Sequence, residues 1–151
     1  GVLAAGPDRC EAAALNGGPT VISVGALDMV NFGPWDTVPA QYADRNLYKH
    51  NPTVTLMRTT VEENKEIGAA IASRINMSTG PCVCMLPLKG VSMIDAEGQP
   101  FFGPEEDAAL FDTLRTQIKP GAAQIVEMDA HINDDEFAVA AAQKLIDLME
   151  A

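Results

Sequence analysis

Short apolar runs alternate with helix-periodic segments along this chain, and that alternation constrains its fold more than any other feature. Residues 20–24, 53–57, 82–86 and 123–128 are apolar or β-branched and bounded by turn residues, so each reads as a buried strand. Residues 2–5 are a further short strand candidate. Between the strands lie four helical stretches. The first covers residues 8–15 behind Pro7, and the second starts at Thr60 and carries Ile67, Ile71 and Ile75 at helical spacing. The third follows Pro104 with Leu110, Phe111, Leu114 and Ile118 on one face, and the last carries Phe137, Ala141, Leu145 and Leu148. Such an order predicts an α/β domain, a mainly parallel sheet with helices on both faces in a Rossmann-like three-layer sandwich.

Residues 25–51 interrupt this order as one long Gly- and Pro-punctuated loop that carries Trp35, Tyr42, Tyr48 and His50. Loops of that length in a domain are functional or poorly ordered. The aromatic content points to an ordered lid or partner-contact loop.

A length of 151 residues suits a single domain over residues 1–151. The start on Gly1 without a methionine predicts a fragment or processed piece of a larger protein. There is no apolar run of bilayer length and no signal-peptide pattern, so the expectation is a soluble, cytoplasmic protein. A net charge of −11, with ten basic residues, argues against general binding to nucleic acid or to an anionic membrane. Cys10, Cys82 and Cys84 are odd in number and lack paired zinc spacing, which predicts reduced thiols and no metal site.

In parallel α/β sheets, ligands bind beyond the carboxyl ends of the strands. Here those exits carry Gly6 and Asp8, Gly25 and Asp28, Arg58 to Thr60, Lys89 to Ser92, and Asp129 to Asn133. The expected ligand is an anionic small molecule bearing a phosphate or carboxylate. Arg58 offers a forked donor, and Thr59 and Thr60 open a helix whose free N–H groups favour an anion. Lys89, Gly90 and Ser92 form a second polar turn, with Asn31, Asn51 and Asn133 nearby. An alternative reading is that the threonines only cap the helix, with Glu62 and Glu63 already occupying its positive end. A second function is an enzyme in which His131 or His50, with Asp28, moves a proton or holds a metal. A third is a non-enzymatic interaction domain whose Trp35/Tyr48 loop packs on another subunit, as in a homo-oligomer, or on a missing N-terminal subdomain. No Gly-x-Ser-x-Gly elbow, His-Glu-x-x-His helix, Walker loop or dinucleotide fingerprint is present, so no cofactor is assigned.

Several longer motifs together carry a resemblance. They are Ser23-Val-Gly-Ala-Leu-Asp-Met-Val-Asn-Phe-Gly33, Arg45-Asn-Leu-Tyr-x-His-Asn-Pro52, Val54-Thr-Leu-Met-Arg-Thr-Thr60, Leu86-Pro-Leu-x-Gly-Val-Ser92 and Asp129-Ala-His-Ile-Asn133. Over nearly its whole length the chain resembles the C-terminal part of the Tm-one-like ATP-binding family, a largely uncharacterised group that includes a plant inhibitor of tomato mosaic virus replication. The resemblance implies a two-subdomain α/β protein of which this chain is the later portion of the second subdomain, with the N-terminal subdomain missing. It also implies that ATP binding and capture of a viral replication protein, as associated with the plant relative, belong to the N-terminal region. It supplies no catalytic residue.

Overall fold

The computed structural model describes residues 1–151. Its central strand, β5 (Cys82–Pro87), is buried at all six positions, as expected of a strand covered on both faces in a parallel sheet. It lies between β1 (Thr20–Ser23) and β6 (Gln124–Met128), parallel to each, giving the order β1-β5-β6. Successive side chains of a strand point to opposite faces. Cys82, Cys84 and Leu86 accordingly join one core with Ala72, Ile75, Leu110, Phe111 and Leu114, contributed by α2 (Val61–Ile75) and α3 (Pro104–Gln117). Val83 and Met85 join a second, smaller core with Ala130 and Phe137, beneath α4 (Asp135–Glu150). The chain is thus an α/β domain, with a parallel sheet between helices on two faces. Burial pushes the Cys82 and Cys84 thiols up, Cys84 to about 12, so both act as small apolar side chains in the wall facing α2 and α3.

Helices α2 and α3 approach closely at Gly68, where an added Cβ would lie 2.9 Å from Thr113 Cβ and 3.2 Å from the Leu110 carbonyl oxygen. A glycine here is a packing requirement, since the backbone is helical.

The structure departs from the sequence expectation in the first third of the chain. Residues 25–51 hold two strands, β2 (Met29–Phe32) and β3 (Leu47–Asn51), with two short 3-10 turns between them. Both pair antiparallel with β4 (Val54–Arg58), in the order β2-β4-β3. The strand expected at residues 53–57 therefore belongs to a second sheet and not to the parallel one. The physical reason lies at Asn51-Pro52-Thr53: Asn51 Oδ1 accepts from the Thr53 N–H and hydroxyl, closing a tight hairpin. A turn that short can join only antiparallel neighbours, because parallel strands need a long crossover. Residues 2–5 form no strand, Val2 and Leu3 are exposed, and the short helix α1 spans Glu11–Asn16. Beyond β1 and β6 the parallel sheet has no further strand.

If Gly68 sets the distance between α2 and α3, Gly68→Val will lower stability by about 1–3 kcal/mol, read as a fall in the urea midpoint at unchanged m-value. A midpoint equal to that of the parent chain would show that the two helices separate freely.

Candidate functional site

Four strand exits meet at the carboxyl edge of the parallel sheet, those of β1, β5 and β6 and that of β4 from the antiparallel sheet. The exit of β1 is tied to that of β5 where the Ala26 N–H donates to the Val91 carbonyl at 2.8 Å. The exit of β4 joins them where the Thr59 N–H donates to the Asp28 carbonyl, and the Thr59 hydroxyl to the Leu27 carbonyl, each at 2.9 Å. The exits of β5 and β6 are stitched together by Lys89 N–H to Ala130 O and Ile132 N–H to Gly90 O, both at 3.1 Å. Gly90 has φ +128°, and a Cβ there would collide with the Asp95 carbonyl and the His131 ring. Only glycine allows these two loops to meet so closely.

His131 is fixed by the same stitching. Its Nε2 lies 2.9 Å from the Ser92 carbonyl and its Nδ1 accepts the Asn133 N–H at 3.1 Å, so the Nε2–H tautomer satisfies both nitrogens. The His131 N–H donates to Asp134 Oδ2 at 2.8 Å. Lys89 pairs with Asp129 at 3.0 Å, and both side chains are largely exposed. The Asp129 hydrogen bond is the main cause that raises the Lys89 ammonium above its usual range.

Beneath this rim lies a buried charge network. Arg58 is 6% exposed. Its Nη2 donates to Asp107 Oδ1 at 2.8 Å and to the Gly103 carbonyl at 3.1 Å, and it lies 3.4 Å from Asp95 Oδ1. Asp95 is fully buried, and its Oδ2 accepts the Val91 N–H at 2.9 Å. Asp28 is also fully buried, and its Oδ2 accepts the Ser92 hydroxyl at 2.7 Å. Two carboxylates, Asp95 and Asp107, thus flank one guanidinium, with Asp28 a further buried acid nearby. Burial, only partly offset by Arg58 and reinforced by Asp95, pushes the Asp107 carboxyl up to about 7. Burial likewise raises Asp28, against the opposing pull of the Ser92 hydrogen bond.

The sequence-derived site residues divide accordingly. Asp28, Thr59, Gly90, Ser92, His131 and Asn133 come together, with Lys89 on the rim beside them. Arg58 was expected to face a ligand as a forked donor, but it turns inward because strand β4 ends inside the protein, where an unpaired cation would be costly. Thr60 caps α2: its hydroxyl accepts the Glu63 N–H, and Glu63 Oε2 accepts the Thr60 N–H. Arg45 clamps Glu63 through two bonds of 3.1 and 2.6 Å, and the Arg45 bond is the main cause that lowers the Glu63 carboxyl. The positive end of α2 is therefore occupied by the protein's own carboxylate. Asn51 belongs to the β3–β4 hairpin turn. Asn31 and His50 line a separate small cleft with Ser92.

Asp95 and Asp107 are not among the residues the sequence singles out, although both belong to this network. The available signal was Arg58 itself, since a charge at the end of a buried strand requires a carboxylate partner. No group of three or more His, Cys, Asp or Glu side chains is arranged to hold a metal ion. No helix is long and apolar enough to cross a membrane.

A parallel α/β sheet with a polar rim at its strand exits and a buried Arg–Asp network below defines the class of domain. The family described as "Uncharacterised protein family (UPF0261) C-terminal domain" matches residues 1–149, and the chain belongs to that family. It is 59% identical over 150 residues to a UPF0261 protein of Clostridium tetani, covering 99% of this chain and 37% of that protein. A UPF0261 protein of Rhizobium meliloti is 50% identical over 142 residues, covering 93% of this chain and 36% of its own length. The tomato ToMV resistance protein Tm-1 is 43% identical over 150 residues, covering 98% of this chain and 20% of its own length. The chain thus spans little more than a third of the bacterial relatives it matches, and its kinship with the Tm-one-like proteins is plain.

The raised Asp107 carboxyl sets a sign for stability against pH. Its folded value of about 7 lies above the ordinary 3.8, so the proton it keeps stabilises the fold fully below about 3.8, and that contribution is lost as pH rises through about 7. The stability advantage of the parent chain over Asp107→Asn should therefore shrink between pH 4 and pH 7 in urea titrations. A difference independent of pH would exclude proton retention at this carboxyl.

Proposed function

We propose that this domain binds a small molecule bearing a phosphate or carboxylate at the carboxyl edge of its parallel sheet. The supporting observation is a cleft of about 790 Å³ beyond β5 and β6, where Lys89, Gly90 and His131 from the strand exits face Asp107 and Arg115 from α3. That volume falls within the range of small-molecule sites, and the location is the one that open parallel sheets use. Leu88, Phe102 and Phe111 supply apolar wall for the body of the ligand.

The cations of the cleft are held loosely. Lys89 has an exposed partner in Asp129, and Arg115 bridges Asp112 and Glu127 at the surface. Exposed ion pairs are worth little in water, so an incoming anion displaces Asp129 from Lys89 at small cost. Arg58 acts at one remove, by holding Asp107 at the cleft wall. Gly90 keeps the two strand exits together, and His131 and Asn133 fix the loop that forms the rim. A nucleotide is one member of this ligand class. In the longer relatives, the remaining part of the chain would complete the protein whose activity this domain serves.

Calorimetric titration with a panel of nucleotides and organic acids tests this reading. A compound that binds should lose affinity by roughly tenfold or more in Lys89→Ala and keep it in Asn51→Ala. Binding unaffected by Lys89→Ala, or no heat beyond dilution from any panel member, would overturn it.

A further inference from the structure

Ser92 stands between two recesses. On one side its backbone carbonyl receives the His131 ring. On the other, Ser92, itself 8% exposed, lines a second cleft of about 200 Å³ together with Asn31 and His50. The remaining wall is apolar, formed by Met29, Leu56, Met93 and Ile94. This cleft is distinct from the larger one between the β5 and β6 exits and α3.

The Ser92 hydroxyl donates to Asp28 Oδ2 at 2.7 Å, and its oxygen accepts the Ile94 N–H at 3.3 Å. Asp28 has no exposed surface, and its Oδ1 has no hydrogen-bond partner. Its backbone is held from behind, with Thr59 bonded to the carbonyls of both Leu27 and Asp28. A hydroxyl that donates to a water-shielded carboxylate, on a residue lining a cleft, has the geometry of a nucleophile and its base.

We propose that Ser92 is the nucleophile, and Asp28 its base, of an acyl-transfer site for small uncharged esters. As the Ser92 oxygen bonds to the acyl carbon, its proton passes to Asp28 Oδ2 and the carbonyl electron pair moves onto the substrate oxygen. The N–H groups of Asn31 and His50 are the nearby side-chain donors for that oxygen. Collapse breaks the bond to the alcohol, which leaves with the proton from Asp28. Water then repeats the sequence on the acyl-Ser92 carbon, giving up its proton through Asp28 and releasing the acid. The net change is ester plus water to acid plus alcohol, with no oxidation. The volume restricts the acyl group to a short chain, and the apolar wall disfavours a charged one. Burial raises the basicity of Asp28, while its charged neighbours Asp95 and Arg58 oppose one another.

Incubation with p-nitrophenyl acetate tests the proposal. The expected result is a burst of p-nitrophenolate stoichiometric with the protein and an acetyl group mapped to Ser92. Ser92→Ala should abolish both, and Asp28→Asn should slow the burst by roughly a hundredfold or more at unchanged circular dichroism. If Asp28→Asn does not fold, the pH profile of the parent burst answers the same question: a rate that levels above a single carboxyl ionisation supports the base, and one that climbs with hydroxide throughout overturns it. Acetylation confined to other side chains, absence of any adduct on the parent chain, or an Asp28→Asn burst at the parent rate would equally overturn the pair. Because the measurement reads Ser92, it is independent of the anion-binding cleft and of the Lys89 substitution.

Discussion

The Arg58 guanidinium is the contact on which the rest of this structure depends. It joins the end of the antiparallel sheet to the turn that carries Asp95 and to the first turn of α3 through Asp107. Without it, two buried carboxylates would face each other across a gap, a costly arrangement in a low-dielectric interior. With it, one cation faces two carboxylates, and burial holds the Asp107 carboxyl above its ordinary range. The two sheets are thus locked together through a joint whose charge balance depends on solution acidity. Ion pairs of this kind add little net stability compared with apolar packing; their effect here is to specify which loop lies against which.

The layered core was readable in the sequence because period and composition determine it. The buried run Cys82–Pro87 and the stripes of α2, α3 and α4 follow from spacing alone, and the rule that strand exits carry polar groups located the rim before any coordinate did. Partnership between strands is a different matter. Periodicity shows that Val54–Arg58 is extended but is silent on its neighbours, and only the short Asn51-Pro52-Thr53 turn marks it as one arm of a hairpin. The role of Arg58 was hidden for a similar reason. Its carboxylate partners lie 37 and 49 residues further along the chain, and at that separation a basic residue at a strand exit looks the same whether it awaits a ligand or a buried acid.

Membership of the UPF0261 family gives these observations a frame. The matched region reaches across this chain and little more than a third of its bacterial relatives. Two recesses share the segment from Lys89 to Ile94, one on each side of Ser92. A single loop, fixed by Gly90, the His131 ring and the Asp95 carboxylate, therefore shapes both.

The outer strands of the parallel sheet have a consequence for how the molecule behaves in company. β1 and β6 each end the hydrogen-bonded ladder with a row of backbone donors and acceptors facing outward, and both are brief, at four and five residues. Brevity is itself protective: a stranger's strand arriving at either border finds too few rungs to grip, and water readily reclaims them.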